Sequence, residues 1–136
     1  QMVWCFDIPP PIMRAPVWGF EDELVSAIVE KMIKNDIGAV ILTSQDMPVG
    51  IITERDILRK CCHQDASCMK VKVGKIMSKP LVTVDVKTPI GEASETMSVK
   101  NIRRLLVTQD GEVKGIVTQR DLMKGTLDAF HTLASI

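Results

Sequence analysis

The pattern of apolar and polar positions in the second half of the chain predicts one strand followed by one helix. Residues 81–84 form the run Leu-Val-Thr-Val, which is typical of a strand. The next residues have helical spacing, with an apolar face and a polar face. The apolar face consists of Ile90, Ala93 and Met97, and the polar face of Glu92, Glu95 and Ser98. Thr88 followed by Pro89 predicts the helix start, because threonine caps helices and proline suits their first position.

Two further apolar runs predict a hairpin. They lie at residues 105–108 and 113–117 and flank the dipeptide Asp110-Gly111. Aspartate and glycine tolerate the positive φ angles of a tight two-residue turn. Residues 119–124 then return to helical spacing, and Thr118 is a suitable cap for that helix. The second half of the chain therefore has the predicted order β-α-β-β-α.

The first half of the chain repeats this order. We predict a strand at residues 17–20, a helix at 23–34, a hairpin turning at 46–48 and a helix at 54–61. The stretch Gly-Ile-Ile-Thr-Glu-Arg-Asp-Ile-Leu at residues 50–58 also reappears 65 residues later as Gly-Ile-Val-Thr-Gln-Arg-Asp-Leu-Met. With a shift of one residue, residues 12–17 align with 76–81. The chain is therefore an internal duplication.

A repeat of about sixty residues buries too small a fraction of its surface to be stable alone. We therefore predict an α+β fold of tandem β-α-β-β-α repeats packed as a pseudo-twofold pair. The predicted parts are an N-terminal extension at residues 1–9, repeat 1 at 10–68, repeat 2 at 69–125 and a C-terminal helix at 126–136.

Composition and charge limit the classes of function. The 136 residues suit one compact domain, and a hydrophobic content of 46% is enough for its core. Seventeen basic and seventeen acidic residues give zero net charge, which argues against a general nucleic-acid or membrane binder. No apolar run approaches the ~20 residues of a membrane helix and no signal peptide is visible, so we expect a cytoplasmic location. The chain begins at Gln1 rather than methionine, which leaves open a longer protein of which it is a part.

Three of the four cysteines lie close together near the end of the first repeat. They are Cys61, Cys62 and Cys68. Adjacent cysteines do not readily reach one tetrahedral metal ion, and no second Cys/His pair has zinc-finger spacing, so we favour buried thiols over a metal site. Cys5 could pair with one of them only in an oxidising compartment.

The duplicated motif resembles the most recognisable stretch of the cystathionine-β-synthase (CBS) domain, a family whose domains occur in tandem as Bateman modules. The resemblance covers residues from about 10 to 125. It implies that an adenosine-containing ligand, such as AMP, ADP, ATP or S-adenosylmethionine, binds in the cleft between the repeats. It also implies that this ligand regulates another protein, that no cofactor is required and that modules form homodimers.

The chemistry of the motif fits a ribose. In each copy a strand leads to a helix start, where unpaired N–H groups and the helix dipole favour acceptors and anions. Asp56 and Asp121 lie in the first helical turn, and a carboxylate can accept both hydroxyls of a cis-diol. Thr53 and Thr118 could add a bond to the sugar or the first phosphate. Thr-x-x-Asp is also close to a capping box, so the same residues could serve both purposes.

The resemblance places an adenine slot at the start of the second strand of each repeat. The corresponding residues are Ile37, Gly38 and Ala39 in the first repeat and Ile102, Arg103 and Arg104 in the second. Glycine and alanine leave room for a ring, whereas two arginines bring charge suited to phosphate, although solvent-facing strand ends would explain them equally well. We therefore predict unequal sites that prefer phosphorylated adenosines to S-adenosylmethionine. Arg55 and Arg120 are weaker candidates for the same site.

Two other classes of function remain open. A ligand-free module that dimerises is favoured by an apolar face in the C-terminal segment. This face consists of Leu127, Phe130 and Ala134. Trp18 and Phe20 would also fill part of a ligand pocket. An enzyme has less support, because His63 and His131 are the only histidines and neither lies in a nucleophile or metal motif.

Overall fold

The computed structural model describes residues 13–62, 66–79 and 81–134. They divide into two compact units, one of residues 17–81 and one that combines the residues before 17 with those from 82 onward. Each unit holds a three-stranded sheet and two α-helices. The predicted N-terminal extension, Cys5 and His63 lie outside the described residues.

The first unit has the predicted order β-α-β-β-α. Its elements are β1 (Trp18–Phe20), α1 (Val25–Asn35), β2 (Ala39–Ser44), β3 (Met47–Thr53) and α2 (Glu54–Lys60). β2 is the central strand, parallel to β1 and antiparallel to β3. Two 3₁₀ turns, Ala66–Lys70 and Val73–Lys75, follow α2.

The second unit repeats this arrangement. Its elements are β4 (Thr83–Asp85), α3 (Ile90–Lys100), β5 (Arg104–Gln109), β6 (Glu112–Thr118) and α4 (Gln119–Ala134), and β5 is the central strand. The α+β class and the tandem repeats are thereby confirmed. α4 continues without a break into the segment predicted as a C-terminal helix. Among the described residues, no helix has the length and apolar character needed to cross a membrane.

Each core forms where a helix stripe meets alternate residues of the central strand. In the first unit the contributing side chains include Val25, Ile28 and Met32 of α1 and Val40 and Leu42 of β2. In the second unit they include Ile90, Ala93 and Met97 of α3 and Leu105 and Val107 of β5. The predicted polar face of α3 is exposed. The helical and strand periods read from the sequence therefore identify the buried faces correctly.

The first hairpin turn and the start of α3 lie at other residues than the sequence predicted. The first hairpin turns at Gln45 and Asp46, with φ of 52° and 64°, so Met47 and Pro48 belong to β3 instead of the turn. Proline is tolerated there because β3 is an edge strand of its sheet. Pro89, not Thr88, occupies the cap position of α3, because the carbonyl of Pro89 accepts the first hydrogen bond of the helix, from Ala93 N at 3.0 Å. The second hairpin turns at Asp110-Gly111, as predicted.

Cys61 and Cys68 form a disulfide, which corrects the prediction of buried thiols. Both residues are buried as expected. The bond joins the end of α2 to the 3₁₀ turn Ala66–Lys70, where the two Cα atoms are 5.5 Å apart. Spacing along the chain does not reveal this pairing, because a disulfide depends on how closely two Cβ atoms approach after folding. Cys62 is exposed and has a free thiol.

Removing the disulfide should lower the stability of the protein. The bond joins residues seven positions apart, and releasing a short loop of this kind costs about 2–3 kcal/mol by loop-closure entropy. We expect the double variant Cys61→Ala/Cys68→Ala to lose about this much free energy of unfolding in guanidinium titrations followed by circular dichroism. Cys62→Ala is the control and should unfold like the unaltered chain. Equal stability of all three proteins would contradict a stabilising role for the bond.

Candidate functional site

In each repeat, the start of the central strand lies beside the end of the third strand and the start of the last helix. In the first repeat Ala39 pairs with Thr53, and the N–H of Glu54 donates to Gly38 O at 3.0 Å. In the second repeat Arg104 pairs with Thr118, and the N–H of Gln119 donates to Arg103 O at 2.9 Å. The residues predicted to contact the base and those predicted to contact the ribose are therefore adjacent within each unit.

The helix before each central strand ends so that the chain is directed into this region. Asp36 and Asn101 cap α1 and α3 in the left-handed conformation, with φ of 51° and 52°. This conformation lets the next N–H group turn back onto the helix. Ile37 and Ile102 accordingly donate to Met32 O and Met97 O at 3.0 Å. Both isoleucines are half-buried at the position predicted for the base.

The threonine and aspartate of each motif form a reciprocal capping box. Asp56 N donates to Thr53 Oγ1 at 3.2 Å, and Thr53 N donates to Asp56 Oδ2 at 2.9 Å. The corresponding distances for Thr118 and Asp121 are 3.1 and 2.9 Å. The capping role considered for the motif is thus confirmed. It uses one carboxylate oxygen of each aspartate, and the second oxygen keeps acceptor capacity.

The second carboxylate oxygen is held by a residue that the sequence analysis did not select. In the first repeat Ser78 Oγ donates to Asp56 Oδ1 at 2.8 Å, and Lys60 Nζ lies 3.5 Å from the same oxygen. In the second repeat Arg14 Nη2 donates to Asp121 Oδ1 at 3.0 Å, and Arg14 Nε lies 3.2 Å from Oδ2. Both aspartates are buried, and these contacts satisfy them.

By sequence Arg14 belongs to repeat 1 and Ser78 to repeat 2, but each lies in the compact unit of the aspartate that it contacts. Each reaches that aspartate because it lies on a segment bridged to the third strand of the unit. Arg14 and Ile116 exchange two backbone hydrogen bonds, of 2.9 and 3.0 Å. Ser78 and Ile51 exchange two of 2.8 and 3.0 Å. The alignment of residues 12–17 with 76–81 places Arg14 opposite Ser78, so a signal was present in the sequence. It could not show which strand the segments would join.

The glycine that opens each motif permits this bridge. A Cβ on Gly115 would lie 2.9 Å from Met13 Cβ and 3.2 Å from Arg14 O. A Cβ on Gly50 would collide with the side chain of Met77. Real Cβ atoms almost never approach so closely, so any larger residue would displace the bridged segment. The motif therefore combines a close backbone approach with a helix cap.

The four arginines proposed for the site differ in exposure. Arg103 and Arg120 are exposed, whereas Arg55 and Arg104 are half-buried. Arg103 directly precedes the strand residue that pairs with Thr118, so its backbone lies beside the motif. Arg14 brings a further guanidinium to the second repeat, and its side chain is 64% exposed.

A shallow depression of about 470 Å³ lies at the opposite end of the first sheet. It is lined by Phe20, Asp22, Glu23, Thr43, Ser44 and Gln45. Because β2 and β3 are antiparallel, the end of β2 is remote from the pair formed by Ala39 and Thr53. Phe20 belongs to this depression, and Trp18 is 39% exposed on β1.

The Asp121 carboxyl has a shifted pKa. Burial raises this pKa, but hydrogen bonds from Arg14 and Thr118 lower it by more, so it lies below the ordinary value of 3.8. The hydrogen bond to Asp121 in turn raises the pKa of the Arg14 guanidinium. The pair is therefore ionised throughout the neutral range.

Acid should weaken the fold partly through Asp121. A carboxyl with a lowered pKa in the folded state stabilises the protein above its unfolded pKa, and this contribution is lost as pH falls through the folded value. We expect the melting temperature to fall as the pH drops below about 5, and the fall to be smaller in Asp121→Asn. Asp110→Asn, on an exposed turn, is the control. If the melting temperatures of both variants fall equally at low pH, Asp121 does not contribute to the acid sensitivity.

Comparison with known proteins identifies the family. The family model of the CBS domain matches residues 7–63 and 73–128. An uncharacterised protein of Methanopyrus kandleri is 37% identical over 113 residues, covering 82% of this chain and 58% of that protein. A mitochondrial CBS domain-containing protein of Arabidopsis thaliana is 33% identical over 116 residues, covering 82% of this chain and 56% of its own length. The chain thus spans little more than half the length of these relatives.

A solved structure supports the same assignment. A CBS domain protein of Pyrobaculum aerophilum, complexed with AMP, superposes with a TM-score of 0.72 at 31% identity. The match covers 88% of this chain and 93% of that one. The two family-model matches fall on the two β-α-β-β-α repeats. The chain therefore belongs to the CBS domain family and contains two tandem CBS domains.

Proposed function

We propose that this chain is a regulatory module that binds an adenine nucleotide of the AMP, ADP or ATP type and does not catalyse a reaction. One observation carries the proposal. In both repeats, the predicted base-contacting and ribose-contacting residues converge around a buried carboxylate at a helix start. The AMP complex of the Pyrobaculum aerophilum relative supports the choice of ligand.

Each residue of the motif has a proposed role in binding. The ligand's ribose diol would take the acceptor capacity that capping leaves on Asp56 and Asp121, displacing or sharing their present partners. Thr53 and Thr118 would line the sugar. The remaining contacts are assigned to Ile37, Gly38, Ala39, Ile102, Arg103, Arg104, Arg55 and Arg120. Among these, Arg103 is exposed and suited to a phosphate.

The proposal extends to the setting of the protein. Nucleotide binding would regulate another protein or a further domain, which is consistent with relatives that are longer than this chain. A cytoplasmic location follows from the choice of ligand, because adenine nucleotides are abundant there. Cytoplasmic glutathione keeps most thiols reduced, so the Cys61–Cys68 disulfide is the observation that opposes this location. Alkylation of both cysteines in freshly lysed cells would support the cytoplasm, and resistance of both to alkylation would contradict it.

Calorimetry of the full chain with AMP, ADP, ATP and S-adenosylmethionine tests the binding function. We expect heat with the phosphorylated ligands and about ten- to hundredfold weaker binding at the first repeat in Asp56→Asn, because a charge-assisted hydrogen bond is lost. Asp46→Asn, on the exposed hairpin turn of the same repeat, is the control. Asp56→Asn also weakens the cap of α2, by ~1 kcal/mol. The titrations should therefore be made well below the melting temperature, where the variant is folded.

Two results would contradict this proposal in different ways. The absence of heat with all four ligands would remove nucleotide binding altogether. Unchanged affinity in Asp56→Asn would restrict that carboxylate to its capping role.

A dimerisation role is the second candidate function, and an apolar stripe on α4 favours it. Met123 of this helix is 66% exposed. On α4, Met123 is followed at helical spacing by Leu127 and Phe130, both about half exposed. A continuous apolar stripe on an otherwise polar surface is typical of a protein interface. We propose that a second copy of this chain covers it, as the predicted homodimer requires.

Light scattering after size exclusion tests the homodimer. We expect the unaltered chain to elute as a dimer and the variant Met123→Glu/Leu127→Glu as a monomer, because two buried charges at an apolar interface are costly. Lys34→Glu, on the exposed side of α1, is the control. A monomeric unaltered chain, or a double variant that remains dimeric, would contradict this interface.

A further inference from the structure

The two repeats hold their buried carboxylates with chemically different partners at one equivalent position. Arg14 and Ser78 both lie on the bridged segments, and both send their side chains to the aspartate of the motif. One partner is a cation that only donates hydrogen bonds, and the other is a neutral hydroxyl that both donates and accepts. This difference matters for binding, because the ribose of the proposed ligand would have to contact the same two carboxylates.

At Asp121 the guanidinium covers both carboxylate oxygens. Nη2 and Nε lie 3.0 and 3.3 Å from Oδ1, and Nε lies 3.2 Å from Oδ2, which also accepts the N–H of Thr118. Multiple charge-assisted hydrogen bonds from arginine to one carboxylate are among the strongest that proteins form. A ribose diol would have to compete with them.

At Asp56 the competition is weaker. Ser78 Oγ makes one hydrogen bond to Oδ1, and its hydroxyl can rotate to accept from a sugar hydroxyl instead. Lys60 Nζ lies 3.5 Å from the same oxygen, and its side chain is 44% exposed. Arg14 is more exposed than Lys60, but the lysine makes only this one long contact, whereas the guanidinium makes hydrogen bonds of 3.0, 3.2 and 3.3 Å. The lysine contact therefore contributes less. The first-repeat carboxylate is therefore the more available acceptor.

We propose that Arg14 is an internal ligand of Asp121 and makes the second-repeat site selective for nucleotides that carry a phosphate. This inference rests on the proposed nucleotide-binding function. A phosphate gives the exposed Arg14 guanidinium an alternative anion and so frees Asp121 for the ribose. A nucleoside without phosphate offers no such exchange. The first-repeat site, with Ser78 at this position, accepts both kinds of ligand.

The reciprocal variants Arg14→Ser and Ser78→Arg test this inference in the full chain, with adenosine and AMP compared by calorimetry. In the unaltered chain we expect adenosine to bind at one site and AMP at two. Arg14→Ser should add an adenosine site and strengthen adenosine binding in the second repeat about tenfold or more, while AMP binding there weakens by a similar factor. Ser78→Arg should remove the first-repeat adenosine site. Asp121→Asn in the Arg14→Ser background should abolish the added site, which assigns it to the second repeat.

The outcomes separate this inference from the function on which it rests. If Arg14→Ser and the unaltered chain bind adenosine with the same stoichiometry and affinity while AMP still binds, the role of Arg14 is wrong and nucleotide binding stands. If neither ligand binds to any of the proteins, the proposed function itself fails. Thermal unfolding controls for folding. Should Ser78→Arg lose its cooperative transition, Arg14→Ser decides the question by itself, because a serine at the equivalent position already satisfies Asp56.

Discussion

Each repeat buries one carboxylate at the start of its last helix, and a buried charge is tolerated only when hydrogen bonds satisfy it. Asp56 and Asp121 are 8% and 9% exposed. Leaving either one unpaired would cost several kcal/mol. The local capping box satisfies part of this requirement, and a segment from elsewhere in the chain satisfies the rest. The helix start, the third strand and the bridged segment thus depend on one another.

This dependence explains the composition of the duplicated motif. Glycine allows the bridged segment to approach the strand, the isoleucines pair with it or enter the core, and threonine and aspartate cap the helix. The glycine, the threonine and the aspartate of the motif therefore have structural roles even without a ligand. Structural and ligand-binding roles are nevertheless compatible, because a carboxylate has more acceptor capacity than one capping bond uses.

The two repeats keep the same backbone but differ at the positions nearest to the carboxylate. The first unit combines Gly38, Ala39 and the hydroxyl of Ser78, whereas the second unit combines Arg14, Arg103 and Arg104 on the same backbone arrangement. Substitution of side chains on a conserved frame alters charge without altering the fold. A duplicated module can in this way present two chemically distinct sites from one architecture.

Local pattern alone determined most of the secondary structure and the membership of each core. Helical spacing identified the buried face of α3, and Asp110-Gly111 identified the hairpin between β5 and β6. Both signals act between residues that are close in the chain. The Thr-x-x-Asp pattern also identified the capping boxes at the starts of α2 and α4. Only the tertiary structure decided that Arg14 pairs with Asp121, 107 positions away, and that Cys61 joins Cys68. Such contacts depend on which segments meet after folding, and periodicity carries no information about that.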